Sequence, residues 1–242
     1  MKESPISEPK SELEKQAPSH RLTGPPPFDH PILCLVVDRN FSRLPIEVAV
    51  SQAVQGGIDW IQLRERELDG QDWLEWATGI AQLARKIRPE IEIIVNRRID
   101  VALAIEASGA HLGFDAVTPS TAREILGKQS RIGASLHSPT EATGDVRGAL
   151  DYCHLAPIFD PLSKEPERPA LGFESLRRTS EAGIPTLAQG GITAENAHPV
   201  IQAGARGIAV TGSILGSWEP GEVTASLRQA LDSAPMPGDQ PG

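Results

Sequence analysis

Apolar residues gather in eight short runs rich in β-formers: LCLVV (33–37), DWIQL (59–63), IEIIV (91–95), GAHL (109–112), RIGAS (131–135), DYCHL (151–155), PTLAQ (185–189) and RGIAV (206–210). Between them lie segments whose apolar positions recur at helical spacing, among them PIEVAVSQAVQ, DWLEWATGIAQLARKI, STAREILG, PTEATGDVRGAL and AENAHPVIQA. A chain that alternates a period of two with a period near 3.6 in this way predicts strand, helix, strand, helix throughout, and hence a parallel sheet. The joints VQGGIDW, EASGAHL, VRGALDY, EAGIPTL and QAGARGI each set a glycine where a helix should stop before the next strand. Helix starts are marked by Ser138 with Pro139 and Glu141, a capping box, and by the run from Thr118 to Thr121. Eight such units in about 200 residues predict a single (β/α)8 TIM barrel over 28–233, with an open doubly wound sheet as the alternative.

Composition narrows the picture. Residues 1–27 and 234–242 are rich in Pro, Ser, Gly and charge and hold few large apolar groups, so both read as disordered tails. The 242-residue chain is 39% hydrophobic with a net charge of −9, enough to bury a core and without the basic footprint of a nucleic-acid binder. No apolar run is long enough to span a membrane, and the N-terminal segment lacks a secretory core. The two cysteines, Cys34 and Cys153, sit inside apolar runs and read as buried reduced thiols, which fits a cytoplasmic protein.

In a barrel the chemistry collects at the C-terminal ends of the strands. Strand seven ends in Gly190 and Gly191, and strand eight in Thr211, Gly212 and Ser213. These neighbouring small-residue corners suggest one phosphate site, although glycines also serve merely to relieve tight turns. Strand two runs into QLRER, where alternation puts Gln62, Arg64 and Arg66 on one side as a clamp for a second anion. Strand three ends at Asn96, a polar contact for a ring or a plain turn residue. Strand five brings Ser135 and His137 to the rim, the latter a candidate proton carrier. His111 and His154 read as packing residues, and Trp73 with Trp76 as a packing face. A long loop after strand six, FDPLSKEPERPALG, offers Ser163 and Lys164 as a lid over a phosphate.

The motifs QLRER, VNRRIDVALAIEASGAHLG, GASLHS, DYCHLAPIFDPLSK and AQGGITAENAHPVIQAGARGIAVTGSI resemble the thiamin phosphate synthase superfamily, which includes the TenI-like thiazole tautomerases. The likeness spans about residues 30–217. It implies a barrel that binds a thiazole phosphate at the strand seven and eight corners, and it matches Gln62, Arg64 and Arg66 to a diphosphate clamp, with Arg66 where lysine is usual. It matches Asn96 to a pyrimidine-side asparagine, and Ser135, Ser163, Lys164 and Gly191 to substrate contacts. The synthase pattern also carries two magnesium-binding aspartates, where this chain has Arg97 and Ala116; Asp115 stands one residue early. With those ligands gone, the expectation is a metal-independent thiazole tautomerase without cofactor, His137 moving the proton and Arg64 or Arg97 facing a carboxylate. The alternatives are a thiamin phosphate synthase, with magnesium held through Asp115, and a silent thiazole phosphate-binding paralogue. A homo-oligomer is possible in each.

Overall fold

In the computed structural model, residues 28–113, 115–142, 148–160 and 168–235 are described. Eight parallel strands close into a barrel in sequence order: β1 (Ile32–Val37), β2 (Trp60–Leu63), β3 (Glu92–Asn96), β4 (Gly109–Leu112), β5 (Arg131–Leu136), β6 (Tyr152–Leu155), β7 (Thr186–Gln189) and β8 (Gly207–Val210). β8 pairs back onto β1, Ile32 opposite Gly207 and Cys34 opposite Ala209. Each strand lies within a residue or so of its apolar run, and the closed order excludes the open sheet.

Around the barrel run helices α1 (Ile46–Gln55), α2 (Gly70–Ile87), α3 (Ile99–Ala104), α4 (Pro119–Leu126), α5 (Gly172–Glu181), α6 (Ala194–Gln202), the short α7 (Gly212–Leu215) and α8 (Pro220–Asp232). α2 shows why they pack. Trp73, Ala77, Ile80, Ala81 and Ala84 share one stripe and are its buried residues, and the helix stops at Arg88, before Pro89. Trp73 and Trp76 meet edge to face at 5.5 Å, the packing pair expected of them.

Strand alternation divides the interior into two cores. Outward residues such as Leu33, Leu35, Val37, Ile61 and Leu63 pack under the helices, while Ile32, Cys34, Val36, Trp60, Ile94, Tyr152, Leu187 and Ala209 fill the barrel. Tyr152 fits only because its β5 neighbour is Gly133: a Cβ there would lie 2.1 Å from the ring carbon Cζ. The barrel floor is polar but closed. Arg131, 4% exposed, pairs with Glu92 and lays its guanidinium 4.7 Å from the Trp60 ring centroid.

Two local expectations shift. At the joint EASGAHL the left-handed residue is Glu106, φ 51°, and Gly109 opens β4 instead, its missing Cβ leaving room for the backbone of Arg131. After β5 the segment beginning at Pro139 is a 3-10 turn over Pro139–Glu141. Ser138 accepts there from the amide of Thr140, and Glu141 accepts from the amide of His137, one residue before the cap position a capping box would use. Both cysteines are free and buried, as their setting predicts, and burial pushes the Cys153 thiol up to about 11. Among the described residues no helix is long and apolar enough to cross a membrane.

Candidate active site

The inward-facing positions near the C-terminal ends of the strands are polar: Gln62 on β2, Asn96 on β3, His111 on β4, Ser135 on β5, His154 on β6 and Gln189 on β7. Strand register sets several of them side by side, Asn96 opposite His111 and Ser135 opposite His154. Gln62 is 3% exposed, and its Nε2 donates to Asn96 Oδ1 at 3.2 Å, while its Oε1 is buried without a hydrogen-bond partner among the described residues. A buried carboxamide oxygen left open is costly unless a ligand completes it.

Beside it runs a buried chain. His111 Nε2 lies 2.9 Å from Ser135 Oγ, and its Nδ1 lies 3.2 Å from the Tyr152 hydroxyl. Burial, then the neighbouring His154 and the charge of Arg64, hold the His111 ring far below the usual histidine range, so it is neutral. A neutral imidazole has one donor and one acceptor, so Ser135 and Tyr152 must play opposite parts toward it. The sequence reading treats His111 as packing alone; the structure makes it the anchor of the rim serine. His154 is buried as expected, with its ring 4.3 Å from that of His111, but its Nε2 has no hydrogen-bond partner among the described residues. Burial takes its pKa down to about 3.

Above this layer lie guanidinium groups. Arg64 is ion-paired with Asp38, whose side chain is 9% exposed. Burial, with added repulsion from Arg66 and Arg97, lowers the Arg64 pKa despite that partner, so the three cations share one field. Arg66 is exposed and has no ion-pair partner among the described residues. Asp38 escaped the sequence reading, yet the alternation Ile32, Cys34, Val36 along β1 points straight to it. Arg97 stands just past β3 in the left-handed region, φ 67°, its amide donating to the His111 carbonyl at 2.9 Å. Its guanidinium is paired with Asp115.

His137 binds the Ala156 carbonyl through Nδ1 at 2.9 Å, tying the end of β5 to the segment after β6. A carbonyl only accepts, so Nδ1 carries a proton and donates it in this contact. At the other corners, Gly190 and Gly191 have φ 96° and 63°. A Cβ on Gly190 would meet Pro157 Cα at 2.8 Å, and one on Gly191 would meet the Asp160 carbonyl oxygen at 2.4 Å, so both are bare to fit the chain after β6. Ser213 Oγ donates to the Ile192 carbonyl at 3.1 Å and joins the β8 corner, with Thr211 and Gly212, to the β7 corner. Ser163 and Lys164 lie outside the described residues.

Magnesium does not fit these residues. A hard cation takes carboxylate oxygens; the two positions where the resemblance expects them hold a guanidinium and a methyl group, and the adjacent Asp115 is engaged by Arg97. Among the described residues no group of three or more His, Cys, Asp or Glu side chains is placed to hold a metal.

Comparison with known proteins bears on the chemistry. The family model described as thiamine monophosphate synthase matches residues 33–214. The chain is 39% identical over 191 residues to a thiamine-phosphate synthase of Chlorobium limicola, covering 78% of this chain and 89% of that protein. It is 36% identical to the thiamine-phosphate synthase of Azorhizobium caulinodans, covering 87% of this chain and 99% of that one. A solved thiamine phosphate pyrophosphorylase from Pyrococcus furiosus superposes with a TM-score of 0.72 at 30% identity, over 83% of this chain and 95% of the other. These relatives overturn the tautomerase expectation. Proteins this similar over nearly their whole length carry a transferase's name, not an isomerase's, so the exchange of two aspartates does not signal a change of reaction. With that reading goes the reason for giving His137 the proton transfer.

Proposed function

The chain belongs to the thiamine monophosphate synthase family, and on that premise we propose that it is a thiamin phosphate synthase, a transferase that joins a hydroxymethylpyrimidine diphosphate to a thiazole phosphate and releases pyrophosphate. The C–O bond between the pyrimidine methylene and the diphosphate breaks with both electrons leaving on oxygen. The thiazole nitrogen then donates its lone pair to the methylene carbon, so the atoms balance without a further reactant.

One observation carries the reading: a guanidinium layer, Arg64 and Arg66, stands over a carboxamide layer, Gln62 and Asn96, whose buried Gln62 Oε1 awaits a partner. An amino-substituted ring supplies both donors and acceptors to such carboxamides. The leaving diphosphate gains charge as the bond breaks, and fixed guanidinium donors strengthen their hold as it does so. Ser135, held by His111, is assigned to the substrates by resemblance. The thiazole phosphate falls to the joined corners at Gly190, Gly191, Thr211, Gly212 and Ser213, with Ser163 and Lys164 assigned to the same substrates by resemblance. His137 holds the β5 rim against the β6 segment.

The test is to incubate the purified full-length protein with both substrates and follow thiamin phosphate and pyrophosphate. Equimolar appearance of the two is expected. Binding of both substrates with no product, in magnesium or in EDTA, would sink the proposal.

A further inference from the structure

Arg97 occupies a position of unusual cost. A non-glycine residue in the left-handed region is strained, and Arg97 adopts it at the strand end where the barrel opens. Gly113 lies beside the pair: a Cβ there would be in contact with Arg97 Cδ at 3.4 Å and with Asp115 Oδ1 at 3.3 Å. The pair is tethered but not sealed, with Arg97 44% and Asp115 43% exposed. Asp115 engages the guanidinium through Nη2, and the other donors of the fork have no side-chain partner among the described residues. The Arg97 charge is felt at Arg64, where it adds to the repulsion from Arg66; Asp38 pairs with Arg64 and Asp115 with Arg97, while Arg66 has no ion-pair partner among the described residues.

The residue that a metal-binding pattern would place here is an aspartate. Exchanging an aspartate for an arginine raises the local charge by two units, which is the charge a divalent cation brings. We infer that Arg97, steadied by Asp115, takes the place of a divalent cation in this chain, binding the diphosphate group directly together with Arg64 and Arg66, so that diphosphate recognition proceeds without magnesium. The inference rests on the synthase reading for the identity of its ligand. Bidentate guanidinium contacts to phosphate oxygens are strong, charge-assisted and insensitive to chelators.

The probe is inorganic pyrophosphate, titrated calorimetrically into the full-length protein in EDTA and again in magnesium at matched free pyrophosphate. Wild type is expected to bind in EDTA, with magnesium changing the affinity less than about threefold. Arg97→Gln is expected to weaken binding in EDTA by at least about tenfold. Arg97→Gly, which keeps the left-handed backbone at lower cost, should lose as much, so a loss in both belongs to the guanidinium and not to the fold. Binding that requires magnesium in the wild type, or that is unchanged in both variants, overturns the inference. Turnover separates the two proposals. Metal-independent pyrophosphate binding that depends on Arg97, with no thiamin phosphate formed, removes the synthase reading and leaves Arg97 as the diphosphate ligand. Product formed only with magnesium keeps the synthase and removes the inference.

Discussion

Arg64 holds one of the less exposed charges at the barrel mouth, and its neighbours explain its state. Burial and the nearby Arg66 press against its positive form, and Asp38 sustains it. A guanidinium so placed gains most when a multiply charged ligand arrives. Replacing it removes that gain and leaves the Asp38 carboxylate without its partner. Arg64→Ala is therefore expected to lower kcat/KM for the pyrimidine diphosphate on the order of a hundredfold, about 2.7 kcal/mol of transition-state stabilisation. The KM for thiazole phosphate should move less than about threefold, since its corners lie on other strands. Steady-state kinetics with each substrate varied in turn checks this, and an equal loss on both would argue for a disturbed fold. Gln62 and Arg64 were legible at this scale because strand alternation projects them from β2 to one side. Asp38 was equally legible in principle, by the same alternation on β1.

At the scale of elements, β4 and β6 contribute two imidazoles to the interior, His111 and His154, each 1% exposed. Burial depresses both, His154 to about 3 from the ordinary 6.5, so each is neutral when folded and takes up a proton more readily when unfolded. The unfolded chain therefore binds more protons below about pH 6.5, and stability is complete above that value and falls as the pH drops toward the folded pKa. Each histidine contributes about 1.4 kcal/mol of loss per pH unit once well below its unfolded pKa. Urea unfolding between pH 6.5 and 5 should show this decline, and His154→Leu should remove about half of its slope. A slope unchanged by the substitution would assign the effect elsewhere. The strands and helix starts around these residues follow from local pattern: Thr118 caps α4 by accepting from the Thr121 amide. The turn after β5 does not, because Glu141 is drawn to the His137 amide and the backbone tightens to 3-10 geometry.

Over the whole molecule, the last helix is tied to the segments that enter the first two strands. Asp59, 9% exposed, accepts from the Leu33 amide and from Arg228 Nη1, both at 2.8 Å, while Arg228 Nη2 donates to the Pro31 carbonyl. This junction lies 169 residues apart in sequence and at the end of the barrel away from the guanidinium rim. Arg228→Ala should cost about 2 kcal/mol, since Arg88 and His30 still approach Asp59, and lower the Tm by roughly 4–8 °C. Thiamin phosphate formation at 25 °C is expected to be unaffected, and a parallel loss of activity in the folded variant would contradict the separation of floor and mouth.

Much of this architecture is set by the sequence alone, because periodicity and punctuation are local: eight β-rich runs, the intervening helical stripes and the tight joints dictate a parallel barrel and place Gln62, Arg64, Ser135 and the glycine corners at its mouth. Tertiary structure decided what alternation cannot express, which is who meets whom. Only the pairing and register of neighbouring strands put Ser135 on His111, crowd Gly190 and Gly191 against the chain after β6, and engage Asp115 with Arg97. In the sequence, Arg97 and Ala116 read as lost ligands and so as a lost reaction. A charge acquires its meaning from the other charges within a few ångströms, and those come from distant parts of the chain.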